Sequence, residues 1–534
     1  MKNSTRFVVV FLLFVMVFSG CIALELNLPA SPPSQSNITV PTPASKNITP
    51  PAQNIPPGQN AAYPSAAGSQ LFGSMLAYNI NDGMMGIPGL IDTLNNGWSE
   101  FRNDNSNLQK LKSNLGKIFQ ERAKTITQSG MSVDREIAGY FTWNVIEPEK
   151  GQFNWELTDL MMKHAGESGV QIVAVIQPFA AWDQQNTQNP SCKALDFAYY
   201  DFKARPPTDM EEYKVFLTKL VERYDGDGKD DMPSLKTKVA YWEIGNEVDG
   251  ACGGFENNAE GYVKLLTSSF ETIKKADPQA KVLNAGALDV TGIMEAESVK
   301  SFWKKFFELG GWQYLDYFNF HYNAERSAGN SATPDSSSFL ENLNFFNGLM
   351  EKNNGRKPIW ITEFGTYSGT PKTMGLPPNN GAPPSQTGFE PTPQKQTAFP
   401  TQSQEFQAAW YFKNSIIGFA NGADRIFIDL IGRDNDIIGG SAAFNLEGEP
   451  RLFVVTLKTI SAKISGFSKA EKIDEGQYKF TVNGKAVYAL WSGTLPNEIS
   501  GKVRVTDMTG VESIEDVSEI ELQSDQPVFV EPAS

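Results

Sequence analysis

From residue 69 to about 465 short apolar, β-rich runs alternate with amphipathic helical stretches. Eight such runs begin near Leu71, Ile137, Val170, Val239, Lys281, Leu315, Ile359 and Arg425. The stretches between them repeat with a period of 3.6 residues. Tyr213, Phe216, Leu217, Leu220, Val221 and Tyr224 share one helical face, and Tyr262, Leu265, Leu266, Ser269 and Ile273 share another. Strand–helix alternation repeated eight times predicts an α/β fold, a parallel (β/α)8 TIM barrel. An open doubly wound sheet would alternate in the same way, but no Gly-rich phosphate loop follows any strand. The texture changes over residues 466–534. Tyr478 to Val482 alternates, Asn483-Gly484 supplies a two-residue turn, and Lys485 to Trp491 returns as a second alternating run. Asn-Gly between alternating runs predicts a hairpin. With further strands at Lys502 to Thr506 and Glu519 to Leu522, this part reads as a small C-terminal β-sandwich domain.

The beginning of the chain follows other rules. Lys2 and Arg6 precede an unbroken apolar run from Phe7 to Phe18, and Ser19-Gly20-Cys21 follows. That run is short for a bilayer span and has the layout of a signal peptide, taken here as residues 1–21. Small residues before a cysteine resemble a lipobox, in which Cys21 receives a lipid. An ordinary signal peptide and an uncleaved anchor are the alternatives, and each predicts an extracytoplasmic protein, a cell-surface lipoprotein or a secreted one. Residues 22–68 are rich in Pro, Ser, Thr, Asn and Ala and cannot bury enough apolar surface to fold, so they read as a tether. Within it, Asn37-Ile38-Thr39 and Asn47-Ile48-Thr49 match the glycan acceptor triplet. The membrane would be met only through this N-terminal lipid or anchor.

Composition narrows the chemistry. The net charge of −15 over 534 residues argues against a nucleic acid partner, whose phosphates need Lys and Arg patches. Two histidines and no cysteine cluster make a catalytic zinc site a poor fit, and no metal or other cofactor is expected. Asp225-Gly226-Asp227-Gly228-Lys229-Asp230-Asp231 collects oxygen ligands of the kind calcium takes, but lacks the downstream bidentate Glu of a full calcium loop. Cys192 follows strand three and Cys252 follows strand four. Adjacent strands bring these loops side by side, which predicts a disulfide in an oxidising compartment; two unrelated thiols are the alternative.

Two strands end in carboxylates. Strand four reads Val239-Ala240-Tyr241-Trp242-Glu243-Ile244-Gly245-Asn246-Glu247, and strand seven reads Ile359-Trp360-Ile361-Thr362-Glu363-Phe364-Gly365. The C-terminal ends of barrel strands form the active-site face, and strands four and seven stand across the barrel from each other. Glu247 and Glu363 can therefore approach a bound sugar from opposite sides, as glycoside hydrolysis requires. Glu243 shares the inward parity but lies deeper, where a buried structural carboxylate is expected. The insertions at 183–210 and 367–404 follow strands three and seven, on the same face.

These two segments resemble the signatures of glycoside hydrolase clan A, which includes the family 5 endoglycanases and the family 39 β-xylosidases. The resemblance implies that Glu247 is the acid/base, that Glu363 is the nucleophile and that Asn246 bonds the sugar 2-hydroxyl. The run from Trp143 to Trp155 is similar to the clan's segment after strand two, Ala276 to Val282 to the approach to strand five, and Phe320-His321-Tyr322-Asn323 to the end of strand six. His321 and Tyr322 are thereby implied to line the sugar site with Trp143. Three departures stand out. Strand eight ends in Ile428-Asp429-Leu430 without the usual Trp. His321 and Tyr322 are adjacent, where one residue usually separates them. The arginine that steadies the nucleophile has no clear match, since Arg135 fits poorly in spacing.

Trp182, after strand three, offers a face for a sugar ring, as does Tyr367 beyond the nucleophile; packing is the competing role for both. His164 reads as structural, and a core role competes with an active-site role for His321. The expected partner is a carbohydrate, cleaved with retention as a β-linked oligo- or polysaccharide. A transglycosidase with the same residues and a non-catalytic carbohydrate-binding protein are the alternatives.

Overall fold

The computed structural model describes residues 70–77, 105–136, 139–184, 206–250, 253–291, 296–323, 337–353, 355–368, 402–433, 442–445 and 447–533. Cys21, Asn37, Asn47, Cys192 and Cys252 lie outside the described residues, as do the cores of both insertions. Among the described residues no helix is long and apolar enough to cross a membrane.

Eight parallel strands each lead to a helix. They are β1 (Phe72–Ala77), β2 (Val133–Glu136), β3 (Gln171–Ile176), β4 (Tyr241–Ile244), β5 (Lys281–Leu283), β6 (Phe318–Asn323), β7 (Ile359–Gly365) and β8 (Ala423–Arg433). The helices are α1 (Asn105–Gln128), α2 (Glu156–Glu167), α3 (Met210–Tyr224), α4 (Ala259–Ala276), α5 (Ala296–Glu308), α6 (Ser337–Lys352), α7 (Gln404–Ala420) and α8 (Leu452–Ile464). The strands pair in the order β5-β4-β3-β2-β1-β8-β7-β6. Parallel bridges Leu283↔Tyr317 and Ala287↔Phe320 join the two ends. The sheet therefore closes, and the expected (β/α)8 barrel is present. A short strand, β9 (Ala442–Phe444), pairs beside β8.

The 3.6-residue stripes fall where expected. On α3 all six residues of the predicted face are buried, from Tyr213 to Tyr224, and on α4 so are all five. Asp209 caps α3 by accepting from the backbone amides of Glu211 and Glu212. The second strand is displaced from its expected start at Ile137. It runs over Val133-Asp134-Arg135-Glu136, three charged residues out of four, so an apolar pattern points past it. The side chains explain how the charges are tolerated. Val133 and Arg135 enter the barrel, while Asp134 faces outward and receives Arg122 Nε and Ser74 Oγ, both at 2.7 Å.

Alternation along the strands sorts the interior into layers. The lowest holds Val133, Val173, Leu283, Trp360 and Phe427, with Tyr241 and Tyr317 packed against them. The Trp360 ring sits 4.7 Å from both Tyr241 and Tyr317, and the Arg425 guanidinium lies 4.8 Å from the Trp360 centroid. This aromatic plug closes the bottom of the barrel. Gly73 makes room for it, since a Cβ there would lie 2.6 Å from the Phe427 ring. Above the plug come Arg135, Glu243, Asn319 and Thr362, and the mouth lies above these.

The C-terminal all-β part is one six-stranded antiparallel sheet. Its strands are β10 (Phe467–Asp474), β11 (Gln477–Val482), β12 (Lys485–Leu490), β13 (Lys502–Asp507), β14 (Glu512–Asp516) and β15 (Val528–Pro532), in the order β10-β11-β12-β15-β13-β14. The hairpin turns at Asn483-Gly484, both at positive φ. Both faces are apolar. One joins the barrel's core through Phe467, Phe480, Ala489 and Phe529, and the other covers a second small core of Tyr488, Leu490, Val503, Val505 and Val530.

Candidate active site

Glu247 follows β4 through a turn that few sequences accept. Gly245 has φ +86° and Glu247 itself has φ +46°, a left-handed conformation that a side chain with a Cβ rarely adopts. The turn is held from outside. The Glu247 amide donates to the Ala285 carbonyl at 2.5 Å, and the Gly250 amide donates to the Glu247 carbonyl at 3.1 Å. Gly245 is also pressed against Val248, where a Cβ would come within 2.9 Å. The strained turn aims the Glu247 carboxyl into the mouth instead of along the strand.

Glu363 reaches the same space by a different device. The β6–β7 register pairs Phe320 with Ile361 but His321 with Glu363, an irregularity of the β-bulge kind. The bulge lets Thr362 and Glu363 both contact interior residues. Thr362 Oγ1 accepts from Asn319 Nδ2 at 3.0 Å, and Glu363 Oε1 accepts from Arg135 Nη1 at 3.1 Å. A carboxylate oxygen of Glu247, one of Glu363 and a ring nitrogen of His321 all lie within 4.8 Å of one another.

Arg135 organises this cluster. Fully buried, it donates from Nε to Glu243 Oε2 and from Nη2 to Glu243 Oε1, both at 2.7 Å. It also donates from Nη2 to Asn246 Oδ1 at 2.6 Å and from Nη1 to Glu363. Burial alone would lower its pKa, but the charges and hydrogen bonds of Glu243 and Glu363 outweigh that and hold the guanidinium above its ordinary value. With Oδ1 turned to the arginine, Asn246 offers its amide NH2 as a donor. Arg135, which fits the expected arginine poorly in spacing, is the side chain that joins Glu243, Asn246 and Glu363. The apolar pattern sets the second strand downstream of it, whereas inward alternation within 133–136 brings Arg135 into the barrel. Glu243 is the buried, paired carboxylate that its depth suggested.

Two residues implied to line the sugar site turn out elsewhere. Tyr322 lies on the outer face of β6. Its ring packs on Phe339 and stacks on Trp410, and its hydroxyl meets Ser338 Oγ at 2.7 Å. Adjacency to His321 is the cause, since neighbouring strand residues point to opposite faces. Asn323 takes the inward position instead, with Oδ1 3.2 Å from where a Gly365 Cβ would be. Trp143 is fully buried, stacked on Phe216 and bonded through its indole to Glu147 Oε2 at 2.7 Å, so no ligand reaches its face. Trp182 remains half-buried, edge-on to Trp143, with its indole donating to the Glu147 carbonyl at 2.8 Å. Where strand eight lacks its Trp, alternation with Phe427 directs the half-buried Asp429 inward, close beside Gly365. Tyr367 is buried.

Oxygens of Asp225, Asp227 and Asp231 come within 4.8 Å of one another. They accept backbone amides of their own loop, from Gly226, Asp227, Gly228 and Lys229. The acidic run accordingly makes turns.

Asp249, two residues beyond Glu247, ties the turn to its neighbours. Its Oδ2 accepts from the Trp303 indole at 2.7 Å and from the Leu288 amide at 3.0 Å. Burial pushes its pKa up to about 7; the two donors oppose the rise and the charge of Glu247 adds to it. The folded state therefore binds a proton that the unfolded chain has released above pH ~4. The resulting stabilisation is complete below about pH 4 and is lost as pH rises through about 7. Asp249→Asn, which cannot ionise, is expected to flatten Tm against pH across that window. A wild-type slope equal to that of the variant would count against the buried acid.

The glycoside hydrolase 42 family model, described as beta-galactosidase, matches residues 112–181, a stretch that includes Arg135 and Trp143. A family 39 glycoside hydrolase from the gut symbiont Bacteroides cellulosilyticus WH2 superposes with a TM-score of 0.52 at 15% identity, covering 78% of each chain. A monomeric beta-xylosidase from Caulobacter crescentus CB15 superposes with a TM-score of 0.50 at 12% identity, covering 88% of this chain and 98% of that one. The chain shares its overall fold with these two enzymes. The likeness to these clan A barrels is one of fold, carried at low identity. No curated protein matches the chain.

Proposed function

We propose that the chain is a retaining glycoside hydrolase acting on β-linked oligo- or polysaccharides, with Glu363 as nucleophile and Glu247 as acid/base. The observation that carries this reading is that one carboxylate oxygen of Glu247 and one of Glu363 lie within 4.8 Å of each other across the barrel mouth. Retaining enzymes need a separation of about 5–5.5 Å, whereas inverting enzymes need room for a water between the groups, about 6.5–9.5 Å. In the first step Glu363 attacks the anomeric carbon as Glu247 gives its proton to the departing oxygen. In the second, Glu247 takes a proton from water, which displaces Glu363 from the sugar. Arg135 beside Glu363 favours the anion that attack requires, and the Asn246 amide is available to the sugar's 2-hydroxyl. The lipobox-like Cys21 and the Pro-rich tether support a location outside the cytoplasm.

The test is product analysis on β-linked xylans, mannans, glucans and galactans, with the anomer of the first product read by NMR. Retention at the cleaved centre is expected; an inverted first product would sink the mechanism, and no product from any polymer would sink the activity. Glu247→Ala is expected to lower kcat/KM by about 10²–10⁴-fold on substrates with sugar or alkyl leaving groups. On a dinitrophenyl glycoside, whose leaving group needs no proton, kcat/KM should fall only slightly. Equal loss on both would count against Glu247 as the acid.

A further inference from the structure

One chain of hydrogen bonds leads from the backbone to the acid/base and favours one placement of its protons. It begins at the Gly286 amide, which can only donate, and which bonds Asn319 Oδ1 at 3.0 Å. Asn319 is therefore oriented with Nδ2 away from Gly286, and Nδ2 donates to Thr362 Oγ1 at 3.0 Å. The buried hydroxyl has a second lone pair, but accepting again would leave its own proton without an acceptor, so donation is the favoured arrangement. The partner within reach is His321 Nε2, at 3.1 Å. Nε2 is then an acceptor, so the imidazole proton sits on Nδ1. Nδ1 faces Glu247 Oε1 at 2.9 Å and Glu363 Oε1 at 3.6 Å. Every side chain in this series is buried. Gly286 is fitted to the arrangement, since a Cβ there would lie 2.1 Å from His321 Nε2.

We infer that Thr362 is a positioning residue: it fixes His321 in its Nδ1–H tautomer and so decides which oxygen of Glu247 carries the acid proton. An oxygen that accepts from Nδ1–H is not the one that bears the proton, which places the acid proton on Oε2. With the tautomer reversed, the Nδ1 lone pair would face Oε1 and draw the acid proton into the protein. The tautomer itself follows from the hydrogen bonds alone, while its consequence for catalysis rests on the glycosidase reading above.

The chain contains two histidines, His164 and His321, so ¹⁵N-histidine labelling gives a spectrum simple enough to read the tautomer directly. His164 pairs with Glu167 on α2 and can be assigned by a His164→Gln variant. At about pH 8, above the ordinary imidazole pKa, wild-type His321 is expected to show a pyrrole-type Nδ1 and a pyridine-type Nε2. Thr362→Ser keeps the hydroxyl and should preserve that pattern; Thr362→Val removes it and should shift both resonances towards the averaged values of mixed tautomers. A wild-type ring protonated on Nε2, or on both nitrogens, overturns the inference without touching the glycosidase reading. So does a Thr362→Val spectrum identical to wild type. The catalytic consequence has its own readout. Thr362→Val should lose kcat/KM by about 10-fold or more on poor leaving groups and little on a dinitrophenyl glycoside, with Thr362→Ser restoring it. Uniform loss on both would make Thr362 merely structural.

Discussion

Replacing Glu363 with Gln is expected to lower turnover by about 10⁴-fold or more while leaving the fold in place, because a neutral amide cannot form the glycosyl ester on which double displacement depends. The substitution keeps shape and volume, and its amide oxygen can still accept from Arg135 Nη1. Arg135 retains its paired bonds to Glu243, so the guanidinium is not stranded. Tm should therefore move by only a few degrees. Labelling with a 2-fluoro sugar bearing a good leaving group separates chemistry from binding. The wild type should gain the mass of one sugar on the peptide that contains Glu363, and the variant should gain none. Turnover by Glu363→Gln within tenfold of wild type would mean that another carboxylate attacks. Sugar binding without turnover or labelling in the wild type would leave a carbohydrate-binding protein.

Arg135 carries the second large effect, on stability as well as rate. Its removal leaves Glu243 and Glu363 buried without their cation, and breaking a buried ion pair from one side costs about 3–5 kcal/mol. Arg135→Ala is thus expected to lower Tm sharply and to abolish turnover. Arg135→Lys keeps the charge, but a single ammonium cannot span Glu243, Asn246 and Glu363 at the angles of the guanidinium fork, so it should rescue only part of either property. The double variant Arg135→Met with Glu243→Met separates the two contributions. Two apolar side chains of similar volume remove the Arg135–Glu243 pair, so the part of the stability lost through a stranded Glu243 should return, while Glu363 stays without its cation and activity does not recover. Denaturant midpoints compared with kcat/KM across the three variants check this. Parallel recovery of stability and rate in the double variant would show that the arginine only braces the barrel.

Legibility in the sequence followed the strength of the local pattern. The stripes on α3 and α4, the hairpin at Asn483-Gly484 and the strand-end carboxylates all announce themselves, because burial forces a period and a turn forces a residue type. Arg135 was hidden because β2 buries charge against charge, and neither Asp134 nor Arg135 looks like core until its partner is known. Tyr322 was misplaced because likeness to a motif overrode strand parity. Trp143 was misplaced because an aromatic residue beside a site carries no mark of which way its ring turns. Thr362 gives no signal at all: a hydroxyl beside Glu363 acquires meaning only through the bulge in β7 that turns it inward.

The contact between the C-terminal sheet and the barrel bears on how the molecule can be cut and recombined. Phe412 of α7 packs on Phe529 at 4.8 Å and meets Trp491 edge-on, and Phe419 meets Phe467. The same helix sends Trp410 and Tyr411 against Phe364, one residue past Glu363. One face of α7 thus belongs to the active-site wall and another to the sheet. The change of texture near residue 466, which looks like a seam, is no joint in energetic terms. Severed there, the barrel would carry a bare strip of aromatic surface along the helix that backs Glu363. The sheet behaves as an outer wall of the enzyme and not as a cassette that recombination could exchange freely.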